Sequence, residues 1–172
     1  MATKKSLWVL FSIFVISAWV LGSAIQVGAE TMKCKSIAAA TKTEEISVSD
    51  EEGHILRLRL SEGLAFFENG EIAKVRIHSL VDAMKKGAQA IGYIIYTFDD
   101  GSTIVNRYQR LNVADQSGNF SAKTTSEITK GTGRFEGIKG TSSSTGKDFP
   151  ATKEEAARLF NDSTLTYTLP TK

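Results

Sequence analysis

The stretch GTGRFEGIKG, residues 131–140, places four glycines, Gly131, Gly133, Gly137 and Gly140, around one aromatic side chain, Phe135. Glycine costs roughly 0.5 to 1 kcal/mol where a regular element could hold alanine, so such crowding marks backbone that turns through positive φ or closely approaches another segment. A phosphate-cradling loop would need a Lys-Ser/Thr pair behind the glycines and a strand–loop–helix setting, and neither is present. The segment therefore concerns geometry before chemistry.

Strand signals surround it. Gln89 to Phe98 and Thr103 to Leu111 flank Asp99-Asp100-Gly101-Ser102 as the arms of a hairpin. With Asp100-Gly101 as a two-residue loop, Tyr93 faces Tyr108, and one face collects Ile91, Ile95, Thr97, Ile104, Asn106 and Arg110 with them. A one-residue change in loop length would shuffle these neighbours. A second hairpin is expected from Leu64 to Phe67 and Ile72 to Ile77 around Asn69-Gly70, read as a type I′ turn. His54 to Leu60 alternates, with Leu56, Leu58 and Leu60 expected on a buried face and Arg57 and Arg59 on a wetted one.

Further strands fit Lys42 to Val48, Phe120 to Thr129, Gly140 to Lys147 and Thr164 to Leu169. Helix is open at Ser79 to Lys85 and at Ala151 to Phe160, where Pro150 near the first turn and Glu154 and Glu155 favour a short C-terminal helix. About eight strands with short connections, apolar on both hairpin faces, predict an all-β antiparallel barrel or sandwich.

The ends bound the cellular context. Lys4 and Lys5, the apolar run Leu7 to Leu21 and the small residues that follow predict a signal peptide over residues 1–29, cut after Ala29 or alternatively after Ala24. An uncleaved anchor competes, because Ser6 to Ala29 carries no charge and is long enough to span a membrane. The order of basic flank, apolar block and small-residue exit favours cleavage. Residues 30–172 would then form one secreted or periplasmic domain without a stable membrane anchor. The whole chain has 21 basic and 19 acidic side chains, and the leader removes two basic ones, so the remainder is neutral and predicts no nucleic-acid partner. Cys34 is the only cysteine, which excludes an internal disulfide and suggests a free or intermolecularly paired thiol near a flexible terminus. Asn119-Phe120-Ser121 and Asn161-Asp162-Ser163 fit the glycosylation tripeptide.

Catalytic patterns are sparse. His54 and His78 stand alone in strand-like stretches, so no metal is expected. GTSSSTG, residues 140–146, lacks a nucleophile-elbow pattern. Carboxylate pairs such as Asp99-Asp100 fit solvated turns. The hairpin face that carries Tyr93, Asn106, Tyr108 and Arg110 among isoleucines describes a candidate small-molecule pocket, with apolar walls and a few converging polar groups. The competing reading packs the tyrosines as a cross-strand pair and lets Arg110 snorkel to solvent.

GTGRFEGIKG resembles the segment that joins two late strands in the allene oxide cyclase and dirigent group of barrels. The likeness extends through YIIYTFDDGSTIVNRYQ, residues 93–109, and EGLAFFENGEIAKV, residues 62–75, is similar to small exported bacterial proteins grouped with that superfamily. It covers Leu64 to about Gly146, and the glycine segment is its most specific part. The resemblance implies that Gly131 and Gly133 let the chain leave one strand, Phe135 plugs the barrel end, and Gly137 and Gly140 admit the next strand. It implies a lumen that binds a small apolar or phenolic molecule, or alternatively a cofactor-free isomerase or cyclase; a structural protein with a filled barrel is the third reading. It also implies homo-oligomers, with trimers among them. No catalytic residue of those families matches a position here.

Overall fold

The computed structural model describes residues 28–114 and 120–171. The signal-peptide reading, apart from Gly28 and Ala29, and Asn119 lie outside the described residues.

Alternation of side chains along extended segments builds eight strands: β1 (Glu30–Ser47), β2 (Ile55–Phe67), β3 (Ile72–Met84), β4 (Gly87–Phe98), β5 (Thr103–Ala114), β6 (Phe120–Thr132), β7 (Lys139–Phe149) and β8 (Arg158–Thr168). Each pairs antiparallel with its sequence neighbours, and β8 returns to β1, so the sheet closes into a barrel without a free edge over most of its height. A 3-10 turn, Gly133–Phe135, links β6 to β7 and is the one helical element among the described residues.

The C-terminal helix expected at Ala151–Phe160 is not formed. Thr152 begins a turn there, accepting bonds from the Glu154 and Glu155 amides at its hydroxyl, but the chain leaves it before a second turn. From Arg158 onward the residues pair with both β7 and β1. Two complete ladders outweigh a ten-residue helix, which is marginal in water by itself. The Ser79–Lys85 segment is likewise strand, in β3, through Met84.

Two hairpin loops set the register, and both differ from the two-residue turns expected. Gly101 N–H bonds to the Phe98 carbonyl at 2.9 Å and Phe98 N–H to the Ser102 carbonyl at 2.9 Å, enclosing a three-residue loop with Gly101 at φ +80°. Phe67, Gly70 and Glu71 repeat the pattern in the β2–β3 hairpin. This is a type I turn closed by a left-handed residue, a common three-residue connection. One extra residue in the β4–β5 loop pairs Gly92, not Tyr93, with Tyr108. Every β4 side chain thereby changes face.

One barrel end is packed solid. Phe67, Phe98 and Phe135 stack with centroids 5.1 and 5.0 Å apart, and Tyr96 meets Phe67 edge-on at 5.8 Å. Ile104, Ile138, Leu165 and Tyr167 complete this core. The glycine segment crosses its rim: Gly133 and Gly137 hold positive φ, and a side chain at Gly131 would meet the Phe135 carbonyl at 2.2 Å. Arg134 lies 4.8 Å above both the Phe98 and Phe135 rings and pairs with Glu71, clamping the turn over the plug.

Candidate functional site

The other half of the lumen is open. A cavity of about 680 Å³ reaches in from the end that carries the β1–β2, β3–β4 and β7–β8 connections. Its lining is largely apolar, with Val81, Met84, Phe120, Phe149 and Leu159, and sets charged side chains, Arg57, Arg59, Arg110 and Asp148, among them. That combination and that size are typical of small-molecule sites.

Strand parity decides which groups converge. β2 runs without a bulge from Ile55 to Phe67, so Arg57, Arg59, Ser61, Ala65 and Phe67 share the inward face. Leu56 and Leu58 point outward, Leu58 being 56% exposed. The sequence expectation, leucines in and arginines out, is therefore inverted. Alternation alone carries no sign; Ala65 and Phe67, which must pack against the plug, fix the parity of the whole strand. In β1 a bulge at Thr41 shifts the register, after which Glu45 lies opposite Arg57 and pairs with it.

β5 contributes Asn106, Tyr108 and Arg110 to the same lumen, all buried. Tyr108 donates its hydroxyl to Ser79 Oγ at 2.6 Å, and burial raises its pKa. Arg110 is held on every side. Its Nε donates to Asn112 Oδ1 at 3.0 Å, and Nη1 donates to Thr124 Oγ1 at 3.0 Å and Asn161 Oδ1 at 2.7 Å. Its Nη2 meets the Asp148 carboxylate, which Asn112 also contacts. Asn106 Nδ2 reaches Ser142 Oγ at 3.3 Å, while its Oδ1 is buried without a partner.

Of the four ligand-binding candidates read from the sequence, Tyr108 and Arg110 line the chamber, Asn106 is buried in the barrel interior off that lining, and Tyr93 faces away from the lumen. Tyr93 is 47% exposed on the outer wall, beside Leu80 and Ile91, because the three-residue loop shifted β4 by one position. Sequence reasoning missed Arg57, Arg59, Ser79 and Asp148. The signal available was the shared odd parity of residues 57 to 67, legible only once two short strand segments are joined into one.

Arg59 differs from its neighbours. Its guanidinium lines the cavity, yet its Nε is buried without a hydrogen-bond partner. Burial lowers its pKa, with the nearby Arg57 charge acting the same way. Ser61 Oγ, one inward position deeper on β2, is also buried and unpartnered.

The histidines fall apart. His78 is exposed on the outer wall, and His54 closes the β1–β2 loop between Asp50 and Asp82. Among the described residues, no group of three or more His, Cys, Asp or Glu side chains is placed to hold a metal ion. Cys34 is buried inside the barrel, not near a loose terminus, and burial pushes its thiol up to about 11.

No family model matches the chain, and no curated protein matches it. Solved structures do. A β-barrel-like protein from Acinetobacter baumannii superposes with a TM-score of 0.54 at 13% identity, covering 81% of this chain and 96% of the other. A conserved protein of unknown function from Rhodopseudomonas palustris gives 0.50 at 11% identity, covering 81% and 97%. What is shared is the fold. The pterocarpan synthase dirigent protein GePTS1 also matches, at 12% identity and a TM-score of 0.47, covering 86% of this chain and 96% of its own.

Proposed function

We propose that the chain is an exported barrel of the allene oxide cyclase and dirigent type that binds a small, largely apolar molecule in the open half of its lumen. The observation that carries this reading is the division of the barrel. Aromatic side chains fill one half, while the other keeps a chamber of about 680 Å³ with largely apolar walls and a few polar groups. A barrel that served only as a filled scaffold would gain stability by packing both halves. Export follows from the leader read in residues 1–29.

Cofactor-free isomerisation is the second reading. It is favoured by Arg59, whose guanidinium lines the chamber and would stabilise developing negative charge there. Arg110 is saturated by protein acceptors and serves the wall in either reading.

Titration with a neutral solvatochromic dye such as Nile red tests the binding reading. The wild-type protein is expected to take one dye molecule with a blue shift, and Ala90→Trp, which projects an indole into the chamber, to bind it more weakly while keeping its β-sheet circular dichroism. Undiminished binding in the obstructed variant, or none in the wild type, would contradict the proposal.

A further inference from the structure

Three arginines line the open chamber, and the protein supplies counter-charges for two. Arg57 pairs with Glu45, and Arg110 with Asp148. Asp148 is further occupied by Asn112, and the Tyr108 hydroxyl by Ser79. Arg59 forms no ion pair among the described residues. A guanidinium does not discharge in a protein, so it cannot escape the cost of burial by losing its proton. Arg59 is half-buried with its Nε left without a partner, and an anion entering the chamber would supply the counter-charge it lacks.

Depth fixes the orientation of such a guest. Arg59 lies one inward position below Arg57 along β2, about 7 Å at the usual rise of a strand. Beneath it is the unpartnered Ser61 hydroxyl, and above it the collar of Val81, Met84, Phe149 and Leu159 opens to solvent. The floor carries the unpaired cation, and the way out passes apolar side chains set beside the internally neutralised Arg57–Glu45 and Arg110–Asp148 pairs.

We infer that Arg59 anchors an anion subsite on the chamber floor, which takes the carboxylate of an amphipathic organic monoanion head-first and leaves its apolar body against the collar. Adjacent guanidinium N–H groups match the two carboxylate oxygens. A single negative charge balances the one guanidinium left over after Arg57 and Arg110 are paired. The inference deepens the lumen-binding reading and rests on it.

Displacement of Nile red by decanoate and by 1-decanol separates the two. Wild-type protein is expected to bind decanoate about 10- to 100-fold more tightly than the alcohol, the range of a charge-assisted contact. Arg59→Gln should bring the ratio to about 1, and Arg59→Lys should keep part of it. Equal affinities in the wild type, or a preference that survives in Arg59→Gln, would overturn the Arg59 subsite while dye binding upheld the chamber. If dye, decanoate and decanol all fail to bind, the chamber reading and the subsite fall together. Should Arg59→Gln not fold, the wild-type ratio and the Arg59→Lys variant still decide.

Discussion

Arg110 on β5 and Asp148 on β7 form an ion pair across the barrel mouth, spanning the intervening strand β6. The same guanidinium reaches Thr124 on β6 and Asn161 on β8, so one side chain joins four strands. The pair is almost wholly withdrawn from solvent, with side-chain exposures of 7% and 14%.

Breaking a buried pair by removing one partner strands the other charge, at a cost of about 3 to 5 kcal/mol. Arg110→Ala is expected to lose stability in that range in urea unfolding. Replacing Arg110 and Asp148 together by leucine should cost less than the two single changes summed. Additive losses would show that the residues do not act as a pair.

Cys34 tests how tightly the packed half is closed. A thiol raised to about 11, chiefly by burial, leaves almost no thiolate at neutral pH. Iodoacetamide at pH 8 should therefore leave the native protein unmodified over hours and label it promptly in denaturant. Rapid labelling of the native protein would mean that this half of the barrel opens readily.

His54 ties the β1–β2 loop through Nδ1 to Asp50 at 2.6 Å and Nε2 to Asp82 at 2.8 Å. The Asp82 bond, followed by the Asp50 bond, raises its pKa above 6.5, so its contribution is complete below that value and is lost as pH rises through the raised one. Asp50 is lowered by the same contact, so its contribution is present above 3.8 and is lost as pH falls through the lowered value. Amide exchange at Val48 and His54, corrected for intrinsic rates, should be better protected near pH 5.5 than near pH 8.5. His54→Gln should remove that difference; unchanged pH dependence in this variant would exclude His54 as its source.

The glycines should differ in what they tolerate. Gly101 has positive φ but open space where a methyl group would be added, so Gly101→Ala should cost about 1 to 2 kcal/mol of backbone strain. At Gly131 the obstacle is the Phe135 carbonyl at 2.2 Å, and Gly131→Ala is expected to reach or exceed about 3 kcal/mol, the upper end of ordinary overpacking. Thermal unfolding of both variants gives the ranking. If Gly131→Ala proved the milder change, close packing would not be the reason for a glycine there.

The barrel was legible because strand length, turn residues and two-faced apolarity are local properties. The side facing inward was not. The β4–β5 face turned on whether the loop held Asp100-Gly101 alone or all of Asp99–Gly101, a difference of one residue that moved Tyr93 from lumen to outer wall. On β2 the eye assigns leucines to the core, whereas continuity with Ala65 and Phe67 sends Arg57 and Arg59 inside. The Ala151–Phe160 segment carries sound helix-start signals, and closure onto β1 and β7 overrides them. Asp148 gave no local sign of its role, since its partner Arg110 is 38 residues away and two strands across.

A crystal structure of the protein grown with decanoate tests the central claim most directly. One molecule is expected inside the open half of the barrel, its carboxylate within hydrogen-bond distance of the Arg59 guanidinium and its chain running past Leu159 and Phe149 toward solvent. A chamber occupied by the protein's own side chains, or decanoate lying tail-first with its carboxylate at the rim, would contradict it.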